Sequence, residues 1–319
     1  MYDSLYLTYP LVDITVSFDG SFPIQKNKTR KTSEVLVTAG GAANTLFVGA
    51  RLGATIVPYG VVGDDLFGKL ILEDYEKEGV SNRYITIRRN MVTPAVVIPV
   101  SQDGDHCFLS MLEGDFGDLS RLDEAIGASR SLIVSGYQLL NDESRKVLSH
   151  CVTIAKERKK IVFFDPGPMI NKIPEEYLRW IVSRSDVLFC NEDEAAFLSG
   201  DKEPQRAANR ICKMTDGGIV LKRGAAGCMI CIGNQRQFFP GFNVKKVDTA
   251  GAGDSFLAAF VLGYLRGWPL EDIVELANGA GAAKAAKKGC GTDVPTLEEV
   301  SNVLHQRECF RRYEELSMV

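Results

Sequence analysis

Apolar runs of strand length alternate along this chain with segments whose apolar positions return every three or four residues. That alternation predicts a parallel sheet buried on both faces by helices, a doubly wound α/β fold. The runs Leu5–Val12, Thr55–Val61, Ser131–Ser135, Ile161–Asp165, Val187–Cys190 and Gly218–Lys222 read as core strands. Between them, Ala42–Leu52, Phe67–Glu78, Asp142–Lys156 and Glu175–Ser183 read as helices. Two segments depart from this pattern. Thr15–Thr38 carries short alternating runs, and Ala95–Val100 matches His106–Met111 across a turn containing Asp103-Gly104, a dipeptide that favours hairpins. Together they predict a small sheet outside the main one, read either as surface hairpins or as a cover over a site. Near the C-terminal end, Asp254–Arg266 aligns Phe256, Phe260 and Tyr264 on one stripe with Leu257, Val261 and Leu265 beside it, which predicts a deeply buried helix. A second helix starts at Pro269 with Glu271 and Asp272 in its first turn and finishes with Lys284, Lys287, Lys288 and Gly289. Its Ala277, Gly281 and Ala285 form a small-residue face, suited to close helix packing or to a flat base.

Composition narrows the class. At 319 residues, 45% hydrophobic and 24% charged, the chain can bury a large core, and without a Pro/Ser linker or repeat it reads as one domain over 1–319. A net charge of −4 and a pI near 5.6 give no basic field for nucleic acid or anionic lipid. No run approaches the ~20 apolar residues of a membrane span. A cytoplasmic location is expected. The eight cysteines are scattered and read as reduced. Cys228 and Cys231 form a C-x-x-C, but in a strand-like run positions three apart face opposite sides, so packing is the reading. His106, His150 and His305 lack ligand spacing.

The chemistry concentrates in Lys246-Val247-Asp248-Thr249-Ala250-Gly251-Ala252-Gly253-Asp254-Ser255-Phe256, where a small-residue turn opens onto the apolar helix. Glycines let the backbone approach a ligand, and the helix start presents N–H groups and a positive dipole end to an anion. Asp254 either caps that helix or acts as a base beside the anion hole, taking a proton from a hydroxyl during phosphoryl transfer. Upstream stand Gly40-Gly41-Ala42-Ala43-Asn44 and Asn191-Glu192-Asp193-Glu194. Each has a plainer reading, as a helix-start loop and as an N-cap with acids in the first turn.

These three motifs, in this order and spacing, resemble the ribokinase (PfkB) family of sugar and nucleoside kinases over nearly the whole chain. The resemblance implies a ribokinase-like fold, a mostly parallel doubly wound sheet with helices on both faces and a small β lid made by 14–38 and 92–112. It implies an ATP- and Mg2+-dependent transfer to an alcohol, with Asp254 as base and Gly251, Ala252 and Gly253 in the anion hole. Asp13, Gly40, Gly41, Asn44 and Asp248 fall on the acceptor side. Asn191, Glu194, Lys222, Gly224, Gly227 and Asn278 fall on the nucleotide side, with Glu194 organising magnesium through water or phosphates. Asp13, Asp165, Asn191 and Lys222 are all expected at the C-terminal ends of core strands, the edge where open α/β sheets bind ligands. Asp248 also reads as an ion ligand or as a turn residue, Asp13 as a turn aspartate and 222–227 as a hairpin turn. Gly289-Cys290-Gly291-Thr292-Asp293 falls in a region that contributes to a monovalent-cation site in some relatives, although Asp293 would be an unusually charged member. In several members the lid also makes dimer contacts. Two departures stand out: Thr8-Tyr9-Pro10 occupies a stretch that often carries glycine, and Leu46 is larger than the residue usual there. Rival readings are a vitamin-type kinase and a catalytically weak binding homologue. Gly63-Asp64-Asp65-Leu66-Phe67-Gly68-Lys69 imitates a Walker A start but continues with Leu70 and carries two acids, so no phosphate role is assigned.

Overall fold

The computed structural model describes residues 1–307 apart from 25, 27–28, 104, 111–113 and 233–234. The hairpin tip Gly104, the far hairpin end Met111 and Cys309 therefore lie outside the described residues. In chain order the first half runs β1 (Tyr2–Leu7), β2 (Leu11–Phe18), β3 (Thr32–Gly40), α1 (Ala43–Arg51), β4 (Ile56–Gly63), α2 (Leu66–Lys77), β5 (Tyr84–Arg88), β6 (Ala95–Val100), β7 (Leu109–Ser110), α3 (Leu122–Gly127), β8 (Ser129–Ser135) and α4 (Asp142–Glu157). The second half runs β9 (Ile161–Asp165), α5 (Glu175–Arg184), β10 (Val187–Asn191), α6 (Glu192–Ser199), α7 (Pro204–Ile211), β11 (Gly218–Lys222), β12 (Gly227–Ile232), β13 (Gln235–Pro240), α8 (Ala252–Leu265), α9 (Leu270–Ala285) and α10 (Leu297–Leu304).

Nine strands form the main sheet in the order β13-β12-β11-β10-β9-β8-β1-β4-β5, parallel from β5 to β11 and antiparallel through β12 and β13. Consecutive strand residues divide between two cores, which explains why these strands read as unbroken apolar runs. Phe163, Phe189, Val220 and Cys228 face the helices α1, α2, α8, α9 and α10. Phe164, Leu188, Leu221 and Cys231 face α3, α4, α5 and α7. Cys228 and Cys231 thus pack on opposite sides of β12, and every described cysteine is a free thiol. The predicted aromatic stripe of α8 is a ladder: Phe256 stacks on Phe260, and Phe260 on Tyr264. Phe189 meets Phe260 edge-on at 5.1 Å. No helix among the described residues is long and apolar enough to cross a membrane.

Leu5–Val12 is not one strand. β1 ends at Leu7, Thr8 donates its N–H to the Tyr59 carbonyl as a last rung, and Pro10, which has no N–H to offer, diverts the chain out of the main sheet. β2 then enters a second sheet of order β3-β2-β6-β7, in which β2 pairs antiparallel with β3 and parallel with β6. Asp13 is therefore the third residue of a strand in this small sheet, not the end of a core strand. The predicted hairpin is present, with Val96 and Val97 opposite Ser110 and Leu109. The Walker-like run is a strand-to-helix turn, in which Asp65 caps α2 by accepting from Gly68 N–H at 2.8 Å and also binds the Thr93 N–H.

Candidate active site

The carboxyl ends of β9, β10 and β11 meet the N-terminal ends of α1 and α8 beneath the small sheet. At the close of β3, Gly40 lies against Asp13 so tightly that a Cβ would overlap the carboxylate. Only glycine fits. Asp13 is buried and accepts the Gly41 N–H. Desolvation, with a smaller push from Asp254, raises its pKa to about 6.

The cap of α8 is Gly251, in the left-handed conformation at φ 75° and with no side-chain cap bond. Asp254 therefore does not cap its own helix. It points across to α1, where Asn44 Nδ2 donates to it at 3.1 Å and Thr45 Oγ1 at 3.4 Å. Burial, reinforced by Asp165, raises its pKa to about 6 against the opposing effects of Asn44, Lys222 and Thr45. The turn before it is partly engaged with itself: Ala250 N–H goes to Asp248 Oδ1 and Ala252 N–H to the Thr249 carbonyl. Among the described residues, the N–H groups of Gly251, Gly253 and Asp254 have no protein acceptor. They are the ones free to meet an anion. Of the expected Gly251, Ala252 and Gly253, Ala252 therefore has its N–H already engaged.

Lys222 closes the other side. Its ammonium sits 3.4 Å from where a Gly253 Cβ would stand and bonds Asp165 Oδ2 at 2.7 Å. Burial opposes the lysine charge, yet Asp165 and Glu194 outweigh it and keep the pKa above the ordinary lysine value. Asn191 and Glu194 form a complete capping box at the start of α6, so the plainer reading of that motif holds as geometry. The same Glu194 is almost fully buried beside Asp165. Desolvation, then Asp165, raises its pKa to about 7. One carboxylate thus fixes the helix start and joins the Asp165–Lys222 cluster. Residues 222–227 do form a hairpin turn between β11 and β12, in which Gly227 pairs with Pro240. Asn278 on α9 donates to the Pro240 carbonyl at 3.4 Å, which brings it to the same corner as Gly227.

Asp248 is engaged within the protein. Its carboxylate takes the N–H groups of Ala250 and Gly289, both at 3.0 Å, and so closes the turn onto residue 289. Sequence reading missed Thr45 as a holder of Asp254, and it placed Lys284 only among the basic residues that finish α9. Lys284 is fully buried. Its placement within the small-residue run Gly281–Ala286 was the available signal. No group of three or more His, Cys, Asp or Glu among the described residues is arranged to hold a metal directly.

A carboxylate beside free helix-start N–H groups, with an ammonium opposite, suits transfer of an anionic group to an alcohol. The pfkB family carbohydrate kinase model matches residues 8–297. Relatives include a 5-dehydro-2-deoxygluconokinase of Clostridium botulinum, 23% identical over 96% of this chain and 95% of that protein. An ATP-dependent ribose-1-phosphate kinase of Halopiger xanaduensis is 28% identical over 92% of this chain and 95% of its own. Among solved structures, an Arabidopsis thaliana ribokinase complexed with ribose and ATP superposes with a TM-score of 0.81 at 22% identity, covering 95% of this chain and 99% of that one. A Thermotoga maritima ribokinase gives 0.78 at 25% identity, with 96% and 100% covered. The match over residues 8–297 decides the family: this chain belongs to the pfkB family of ATP-dependent carbohydrate kinases, with the ribokinase-like fold.

Proposed function

We propose that the chain transfers the γ-phosphoryl group of ATP to an alcohol of a sugar or sugar-like acceptor, with Asp254 as the base. The observation that carries this is the position of Asp254, held by Asn44 and Thr45 beside three N–H groups that have no protein acceptor. With its pKa raised only to about 6, the carboxylate is ionised at neutral pH yet basic enough to take a proton as the alkoxide develops. Gly251, Gly253 and Asp254 N–H groups stabilise charge on the transferring group, and Lys222 faces it from β11. Asp13 is the acceptor-side carboxylate, placed to take two hydroxyls of a polyol. Gly40 and Gly41 keep the backbone beside it open, and Asn44 acts mainly by holding Asp254.

ATP falls along 222–227 and Asn278 in this reading. Bound magnesium supplies neutralisation of the nucleotide phosphates. Asp165 at the end of β9 and the buried Glu194 in the first turn of α6 are the residues suited to hold it through water and phosphate oxygens. The first test is ATP turnover with a panel of ketoses, aldoses, sugar acids, sugar phosphates and nucleosides, followed by phosphorus NMR of any product. A phosphorylated sugar whose formation Asp254→Asn abolishes is the expected result. Turnover with nucleosides or pyridine alcohols only would replace the acceptor class, and no turnover with any of them would leave a binding protein.

A further inference from the structure

Among the described residues one lysine is completely buried, far from any need of solubility or helix pairing. Lys284 stands in the last turn of α9, in the run Gly281-Ala282-Ala283-Lys284-Ala285-Ala286, where alanine would complete the packing. Its side chain is 0% exposed. The ammonium donates to the carbonyls of Lys287 at 3.0 Å and Asp248 at 3.3 Å, and lies 3.7 Å from Asp248 Oδ2. A buried cation is tolerated only when oxygens replace its water, and here main-chain and carboxylate oxygens surround it at the negative end of a helix. The two Asp248 oxygens belong to the segment that leads into the α8 start. Val247 and Asp248 N–H groups dock on the Ala285 carbonyl, while the Asp248 carboxylate gathers Ala250 and Gly289. Gly291, two residues on, donates to Asn44, which in turn holds Asp254.

We propose that the Lys284 ammonium is a built-in monovalent cation: a positioning residue that fixes the turn 248–250 from below, so that the anion hole is formed without any added alkali ion. A ring of carbonyl and carboxylate oxygens is what a free potassium or ammonium ion would take. Tethering that charge to α9 removes the dependence on salt. The turnover part of this proposal rests on the kinase reading above; the binding part does not.

The experiment compares the wild-type chain with Lys284→Ala and Lys284→Met in tetramethylammonium chloride and in KCl or NH4Cl at equal ionic strength. Thermal unfolding is read first, since it needs no acceptor, then MgATP affinity by calorimetry and turnover with the acceptor found in the panel. The wild-type chain should show no potassium response in any readout. Lys284→Ala should lose about tenfold or more in turnover with little change in MgATP affinity, the pattern of a damaged anion hole. Potassium or ammonium should restore that turnover and raise its unfolding midpoint by about 2–4 °C, whereas tetramethylammonium should not. Lys284→Met, which fills the space with an apolar chain, should show the loss without the recovery. Potassium activation of the wild-type chain overturns the proposal. So does a folded Lys284→Ala that is fully active without potassium, a loss that no small cation repairs, or an alanine variant that folds in none of these salts. If the wild-type chain phosphorylates nothing in the panel, the kinase reading fails, and the midpoint response of Lys284→Ala to potassium still decides the role of Lys284.

Discussion

As the proposed base, Asp254 should set the rate, and its burial should set part of the fold's stability, with opposite signs. As base, its replacement by Asn should lower turnover by about 10²–10⁴-fold while MgATP affinity stays within a few-fold. Wild-type turnover should fall as pH drops through about 6, the value to which burial raises this carboxylate. Stability moves the other way. A carboxyl whose folded pKa lies above its unfolded value binds protons more tightly in the folded state. Its contribution is complete below the ordinary carboxylate pKa and is lost as pH rises through about 6. At pH 7.5 the ionised, desolvated Asp254 therefore costs the fold on the order of 1–2 kcal/mol, which Asp254→Asn should recover. Unfolding midpoints of both proteins from pH 4 to 8 check this: the variant should gain over wild type as pH rises, and a variant less stable at pH 7.5 would contradict the assigned burial. The residue itself was legible in sequence because a glycine turn before an apolar helix is a local pattern. Its partners were not. Asn44 and Thr45 lie about two hundred residues away, and no local pattern names a long-range hydrogen bond. The burial of Lys284 was hidden for the same reason, since a lysine at a helix end is ordinarily solvated.

Between elements, α1 is the piece on which the site turns. Asn44 in its first turn spends its amide N–H on Asp254 and its carbonyl on the Gly291 N–H at 2.8 Å, so both ends are already committed inside the protein. Asn44→Ala should therefore lower turnover at saturating acceptor, by releasing Asp254, as well as weaken acceptor binding. Asp13→Ala, by contrast, should raise the acceptor KM and leave MgATP affinity unchanged. Initial-rate kinetics with both substrates varied separate the two, and equal effects on KM alone would return Asn44 to a purely acceptor-binding role. Element types were largely readable from periodicity: α1, α2, α4 and α5 fall within two residues of the expected bounds, and β9 and β11 match them. The failure at Leu5–Val12 has a physical cause. An apolar run shows burial on both sides of Pro10 but cannot show that the two halves are buried in different sheets. The short helices α3, α7 and α10 were missed because about two turns carry too few apolar positions for a period to register, whereas α6 was signalled by its N-cap at Asn191.

At the scale of the whole molecule, the small sheet has two faces with different employment. Strand alternation puts Asp13 on the face toward Gly40 and the cleft, and Ile14 on the opposite one. On that outer face Val37, Ile14, Val97 and Leu109 form a cross-strand row, with Val35, Val16 and Pro99 forming the next. Val35 is 56%, Val37 41% and Leu109 62% exposed, three apolar side chains on one face, while Ile14 packs partly against the main core. This face should pair with a second copy. Sedimentation equilibrium should give a dimer, and Val37→Lys with Leu109→Lys should give a folded monomer. The inner face makes the last prediction. If the small sheet closes over the acceptor, it should exclude water from the alcohol and complete the site, which limits transfer to water. Acceptor should therefore slow hydrogen exchange in 15–38 and 95–110 together, whereas MgATP alone should protect mainly 222–227 and 250–254. A dimer of this kind would sharpen the expectation, because a partner packed on the outer rows would already slow those strands, leaving the acceptor-dependent part to the residues around Asp13 and Thr38, which pair across β2 and β3. Exchange in both segments that stays unchanged at saturating acceptor, in the double-lysine monomer as well as in the wild-type chain, would make the small sheet a fixed dimer platform and remove it from the catalytic cycle.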